Sequence, residues 1–153
     1  MAVVLPTPDV PPAGGTRFDQ HLLLDDRLDL LVRGGHPLAR RDRVEFADAA
    51  GESWVVKTRD NDTYQLLLAA CAAAGFTPRV GHHVKEWYAA SAVVAEGLGV
   101  CLLPIPSAHA VRRLPLTGSP RPSRRISAYV RRGSAAHPVV ARGLAALRTA
   151  AQA

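Results

Sequence analysis

The residues with the most chemistry to offer lie in one short run, Thr58-Arg59-Asp60-Asn61-Asp62-Thr63, directly ahead of an apolar helical pattern. The first amide N–H groups of a helix have no partner within it, and its macrodipole is positive at that end, so a helix start collects anions. Thr58, Asn61 and Thr63 add hydroxyl and amide donors to that field, enough to hold a small carboxylate without a metal. The same residue types also serve as N-caps, with Asn61 or Asp62 accepting from the amides of the first turn, and the sequence alone does not separate the two roles. Glu86 and Trp87 form a second candidate group at the start of another helical pattern. Glu86 reads as a first-turn acid that suits the dipole, or as a ligand contact, and Trp87 as a ligand-facing aromatic or a core residue.

Other chemistries lack their residues. There is no GxSxG elbow, no HExxH, no P-loop and no paired cysteine cluster, and Gly97-Leu98-Gly99 lacks the third glycine of a dinucleotide fingerprint and precedes a strand instead of following one. Adjacent His82 and His83 point to different sides of an extended chain, which is poor geometry for a shared metal. Asp25-Asp26 reads as a solvated turn as readily as a carboxylate pair. Arg124-Arg125-Ile126-Ser127 has the form of a basophilic phosphorylation site, but Ser127 falls within a predicted strand. Catalytic residues, metal ligands and cofactors are therefore none, and the chain is not read as an enzyme. Cys71 and Cys101 each sit inside an apolar run without CxxC spacing, as buried reduced thiols do.

The elements that must position these groups follow from local signals. Trp-rich and Val-rich Ser53 to Lys57 predicts a strand, Tyr64 to Ala74 a helix closed by Gly75 and Pro78, Glu86 to Glu96 a second helix closed by Gly97, and Val100 to Leu103 an apolar strand buried on both faces of a parallel sheet. Leu28 to Val32 reads as a strand stopped by Gly34-Gly35, with a short helical turn at Phe46 to Ala50. Ala2 to Leu5 reads as the end of a buried parallel strand, and the Pro-rich and Gly-rich stretch from Pro6 to Gly15 as a loop. Arg124 to Arg132 reads as a strand with Ile126, Ala128 and Val130 inward, and Pro138 opens a final helix to about Ala150. Alternation of strand and helix with short connections is the α/β signature, in which ligands bind at the carboxyl ends of the strands.

The chain has 153 residues and a net charge of +6, unevenly spread. Residues 97–153 carry nine Arg and no acid, while residues 1–96 hold ten basic and thirteen acidic groups. Tyr129 is the single aromatic among the arginines of residues 97–153, which is not the interleaving that base stacking uses, so the arginines are read as solvated or paired with acids elsewhere. No apolar run approaches bilayer length and residues 1–5 carry no basic n-region, so the expectation is a cytoplasmic protein without membrane partners.

The wording of several segments adds to this reading. Ala74-Gly75-Phe76-Thr77-Pro78-Arg79-Val80, then Val93-Val94-Ala95-Glu96-Gly97-Leu98-Gly99-Val100, Leu103-Pro104 and the tetrapeptide His36-Pro37-Leu38-Ala39 together resemble the effector-binding domain of LysR-type transcriptional regulators. The resemblance implies a type 2 periplasmic-binding-protein-like α/β fold with one complete small lobe plus N-terminal and C-terminal pieces of the other. It places the last strand of the first lobe and a crossover at residues 1–25, the second lobe at 26–106, and the return crossover, strand and closing helix at 107–153. Effector contacts are implied at Leu5, Thr7, Thr58, Asn61, Asp62, Thr63, Glu86 and Trp87. The implied ligand is a small-molecule effector, an organic anion, and the implied assembly a homo-oligomer. DNA would be reached only through a winged helix-turn-helix domain, which residues 1–153 do not contain. A free-standing solute-binding module acting on a partner regulator is the alternative. With the opening strands of the first lobe outside the sequence, the strand at 124–132 is expected to lack sheet partners and expose an apolar edge.

Overall fold

The computed structural model describes residues 1–4, 15, 17–59, 61–103, 110–119 and 121–152, with only the backbone of Asp62 and Leu103. In chain order its strands and helices are β1 (Ala2–Val4), β2 (Phe18–Arg27), β3 (Asp29–Arg33), β4 (Val44–Glu45), β5 (Ser53–Lys57), α1 (Asp62–Ala73), β6 (Arg79–Val84), α2 (Trp87–Ala95), β7 (Cys101–Leu103), β8 (Val111–Leu114), β9 (Leu116–Thr117), β10 (Ser123–Arg131) and α3 (Pro138–Ala151). They fall into two compact units, one made of Met1–Asp26 with Ser123–Ala153 and the other of Arg27–Pro122. β8 pairs with β3 and β9 with β4, which ties residues 111–117 to the Arg27–Pro122 unit.

Arg27–Pro122 is built around strands whose alternate residues serve opposite helices. β5 and β6 run parallel, joined through α1, and Val100 at the head of β7 bridges Trp54 in parallel. Two backbone hydrogen bonds make that bridge, Val55 N to Val100 O and Val100 N to Ser53 O, each 2.8 Å. Trp54, Val56, Leu30 and Leu102 then join Leu67 and Cys71 of α1 in one cluster, while Val55, Leu31 and Cys101 join Ala90 and Val94 of α2 in another. The two-residue period of the strands thus sorts one apolar run into two cores.

The expectation that Val100 to Leu103 lies in a parallel sheet holds only on the side of β5, where Val100 bridges Trp54. β7 is antiparallel to β3, and β3 is antiparallel to β8. Parallel neighbours require a crossover, which α1 and α2 supply for β5, β6 and β7; the connection from β3 to β5 contains no such helix. That connection instead holds two 3-10 turns. The first, at Pro37–Arg40, explains the His-Pro-Leu-Ala tetrapeptide. His36 Nδ1 accepts from Leu38 N at 3.2 Å, its Nε2 lies 3.6 Å from Glu52, and Leu38 is buried.

Both central helices stop in the same way. Phe76 N reaches Cys71 O and Gly75 N reaches Ala72 O after α1; Leu98 N reaches Val93 O and Gly97 N reaches Val94 O after α2. These are Schellman closures, and they need the positive φ that Gly75 (81°) and Gly97 (75°) adopt.

In the other unit, β10 lies between β1 and β2, with α3 packing Leu144 against Ala128 and Val130. This overturns two expectations. β1 is antiparallel to β10 and exposed, with Val3 at 49%, so it is not a buried parallel strand. Nor does β10 lack partners, because the ten-residue β2 lies beside it and residues 127–130 are buried, although the expected exposed apolar surface is present at Val3 and Leu22 of the same sheet. Asp26 lies in β2, not in a turn, and accepts from Arg124 Nε at 2.7 Å. Arg113 pairs with Asp29 and Arg132 with Asp19, so part of the basic C-terminal third is answered by acids from the N-terminal part of the chain.

Cys71 and Cys101 are 0% and 1% exposed, and burial pushes both thiols up to about 12. The expected result is that iodoacetamide leaves the native chain unmodified in mildly alkaline buffer and labels both cysteines once urea unfolds it; labelling of the native chain would contradict the burial. The linkage has a definite sign. The folded state holds these protons between about 9 and about 12 while the unfolded state has released them. Stability therefore falls as pH rises through that window, by up to about 1.4 kcal/mol per pH unit for each thiol.

Candidate effector site

A small pocket opens at the carboxyl-terminal edge of β5 and β7. Val55, Val56 and Lys57 of β5 form one wall, and Thr63 and Leu67 of α1 another. Trp87, the first residue of α2, closes the side, with Leu28 and Leu102 beneath. Its volume is about 20 Å³, room for one small group. Among the described side chains the lining is apolar apart from Thr63 and Lys57.

Lys57 went unnoticed in the sequence because it reads as the polar end of a strand. Its Nζ stands 5.0 Å from the centroid of the Trp87 ring and donates to the Lys85 carbonyl. A cation over an indole face is attracted by the ring quadrupole, so the flexible lysine stem is held in one place. Among the described side chains, Lys57 has no carboxylate partner. The available signal was compositional, since Lys57 is one of two lysines in a chain with seventeen arginines and sits at a strand terminus.

The sequence-designated residues divide. Thr63 and Trp87 line the pocket. Asn61 is the N-cap of α1, its Oδ1 accepting from Thr63 N at 3.0 Å and from the Thr63 hydroxyl. Thr58 contributes its carbonyl, which accepts from Asn61 N at 2.9 Å and so closes the turn between β5 and α1. Glu86 occupies the N-cap position of α2 without a side-chain cap bond and is exposed, so it is not a first-turn acid. The side chain of Asp62, and Leu5 and Thr7 altogether, lie outside the described residues. His83 is exposed beside Tyr64, ring centroids 6.1 Å apart, and no group of His, Cys, Asp or Glu among the described residues could hold a metal ion.

Residues 3–152 match the family model of the LysR substrate binding domain. The chain belongs to that family. Among curated relatives, the HTH-type transcriptional regulator ShiR of Corynebacterium glutamicum (strain R) is 36% identical over 97 residues, covering 60% of this chain and 32% of ShiR. The chain spans less than a third of the length of the curated relatives it matches. Among solved structures, the effector-binding domain of QuiR in complex with shikimate superposes with a TM-score of 0.74 at 19% identity, over 95% of this chain and 68% of that one. The BenM effector-binding domain with its effector benzoate gives 0.75 at 19%, over 92% and 65%. The fold is accordingly the type 2 periplasmic-binding-protein-like α/β fold of LysR effector-binding domains. For a LysR substrate-binding domain, a pocket at the strand ends beside two helix starts is where α/β architecture puts a ligand. No helix among the described residues is long and apolar enough to cross a membrane.

Proposed function

We propose that the chain is the sensor part of a transcriptional regulator, binding a small organic anion as effector and acting on DNA through a separate winged helix-turn-helix domain, in a cytoplasmic homo-oligomer and without catalysis. The observation that carries this reading is the family match along residues 3–152, with the pocket between β5, α1 and α2 as the place where ligand chemistry is available. The shikimate and benzoate held by the QuiR and BenM domains are both carboxylates, which fits a site with one cation, one hydroxyl and two helix starts. Thr63 and Trp87 contact the effector, while Asn61 and Thr58 shape the turn that presents Thr63.

A thermal shift measurement with shikimate, benzoate and a set of other small carboxylates tests this. Free ligand at about 100 times its dissociation constant stabilises the native state by about 2.7 kcal/mol. That corresponds to a rise of about 5 °C or more for a chain of this size. A transition unmoved by every carboxylate would refute the reading.

A further inference from the structure

We infer that Lys57 selects the effector: the site takes a monocarboxylate with a compact apolar end, whose anionic oxygen replaces the Trp87 ring as the partner of the Lys57 ammonium. This rests on the effector-binding reading above and goes beyond it in naming the residue and the ligand class. Three observations converge. The lining is hydrocarbon from Val55, Val56, Leu67 and Leu102, and its volume of about 20 Å³ admits the edge of an apolar group and not a whole ring. A ligand with several polar groups at that end would lose water there with only the Thr63 hydroxyl to answer them. Among the described residues Lys57 is the single charged group in the lining, so it matches one carboxylate and offers a second no counter-charge of its own.

The third observation is how the ammonium is held. It has three donors, and one serves the Lys85 carbonyl while the ring of Trp87 takes the charge at 5.0 Å. That contact is weaker than a charge-assisted hydrogen bond to a carboxylate, so the exchange favours the ligand. The lysine stem is ordered before the ligand arrives, which lowers the entropic cost of binding.

Isothermal titration of the chain with benzoate, shikimate and benzamide tests the inference, using wild type, Lys57→Met and Lys57→Arg, each checked for a native circular dichroism spectrum. Benzoate supplies one carboxylate and an apolar end; benzamide has the same shape without the charge. The expected result is benzoate binding that weakens about tenfold or more in Lys57→Met and less in Lys57→Arg, with benzamide weaker than benzoate by a similar factor. Loss of folding in Lys57→Met leaves the benzoate-to-benzamide ratio and Lys57→Arg to decide. Equal benzoate affinity in wild type and Lys57→Met, or equal affinity for benzoate and benzamide, overturns the role of Lys57 while effector binding stands. Shikimate binding without benzoate binding overturns the apolar-end class. Absence of binding by either carboxylate overturns both this inference and the reading beneath it.

Discussion

Replacing Trp54 by alanine is expected to cost about 3–5 kcal/mol, enough to threaten the folding of the Arg27–Pro122 unit. Trp54 is 0% exposed and sits where three parts of the unit meet. Phe46, from the 3-10 turn before β5, approaches it edge-on with centroids 5.5 Å apart, and Phe76, the residue that ends the α1 closure, stacks at 6.2 Å and 26°. Burial of an indole contributes about 4–6 kcal/mol by area, and the cavity left by alanine adds to the loss. One term opposes it. The indole Nε1 is buried with no hydrogen-bond partner among the described residues, and an unpaired donor costs about 1–3 kcal/mol that the substitution relieves. Trp54→Phe should therefore be far milder than Trp54→Ala, since it keeps most of the ring contacts and removes the unpaired N–H. Urea unfolding followed by circular dichroism should show the alanine midpoint lowered by roughly 1–2 M and the phenylalanine midpoint little changed. Similar midpoints for alanine and wild type would mean that the cluster collapses around the gap.

The unequal legibility of this chain has physical causes. α1 and α2 were readable because each ends in a local signal, a glycine at the one position where positive φ is required, and after α1 Phe76 packs back on the core while Leu98 after α2 is exposed. β5 was readable from its β-branched and aromatic run. β2 was not, because Leu22, Leu23 and Leu24 are consecutive and Leu22 is 56% exposed, so no clean alternation marks the strand. β8 was hidden for a related reason: Arg112 and Arg113 fill half of a four-residue element. Strand direction was illegible in principle, because the apolar face of β7 is the same whichever way its neighbour runs. Intervening helices do not settle it either, because α1 and α2 both lie between β3 and β7, which run antiparallel.

The candidate site follows the same division. Thr63 and Trp87 could be named from their positions at helix starts, and the structure brings them to one pocket. Lys57 could not, because its importance depends on α2 beginning beside the end of β5 so that an indole lies under the ammonium. That is a fact about two strand ends and a helix start meeting in space. Asn61 shows the converse: as an N-cap its side-chain oxygen is committed to Thr63, so a residue type suited to ligand contact is spent on local structure.

Gly99→Val is expected to be the second most damaging change, for a reason that φ does not capture. A Cβ at Gly99 would stand 2.6 Å from Ser53 O and 3.1 Å from a methyl of Val55. Ser53 O is the acceptor for Val100 N, and Val55 N donates back to Val100 O, so the clash falls on the two backbone hydrogen bonds that bridge the head of β7 to β5. The carbonyl cannot rotate away without breaking the strand that also pairs with β6. Overpacking of this kind costs about 1–3 kcal/mol, and loss of the two backbone bonds about 1 kcal/mol each, for a total near 3 kcal/mol or more. The damage should spread to the site, because β7 carries Leu102 and β5 carries Lys57. Native-state hydrogen exchange reads this directly: the amides of Val55 and Val100 should lose protection in Gly99→Val while those of Ala128 and Val130, in the other unit, keep theirs. Unchanged protection at Val55 and Val100 would show that the bridge tolerates a side chain, and that β5 and β7 are held together by their shared core and not by those two bonds.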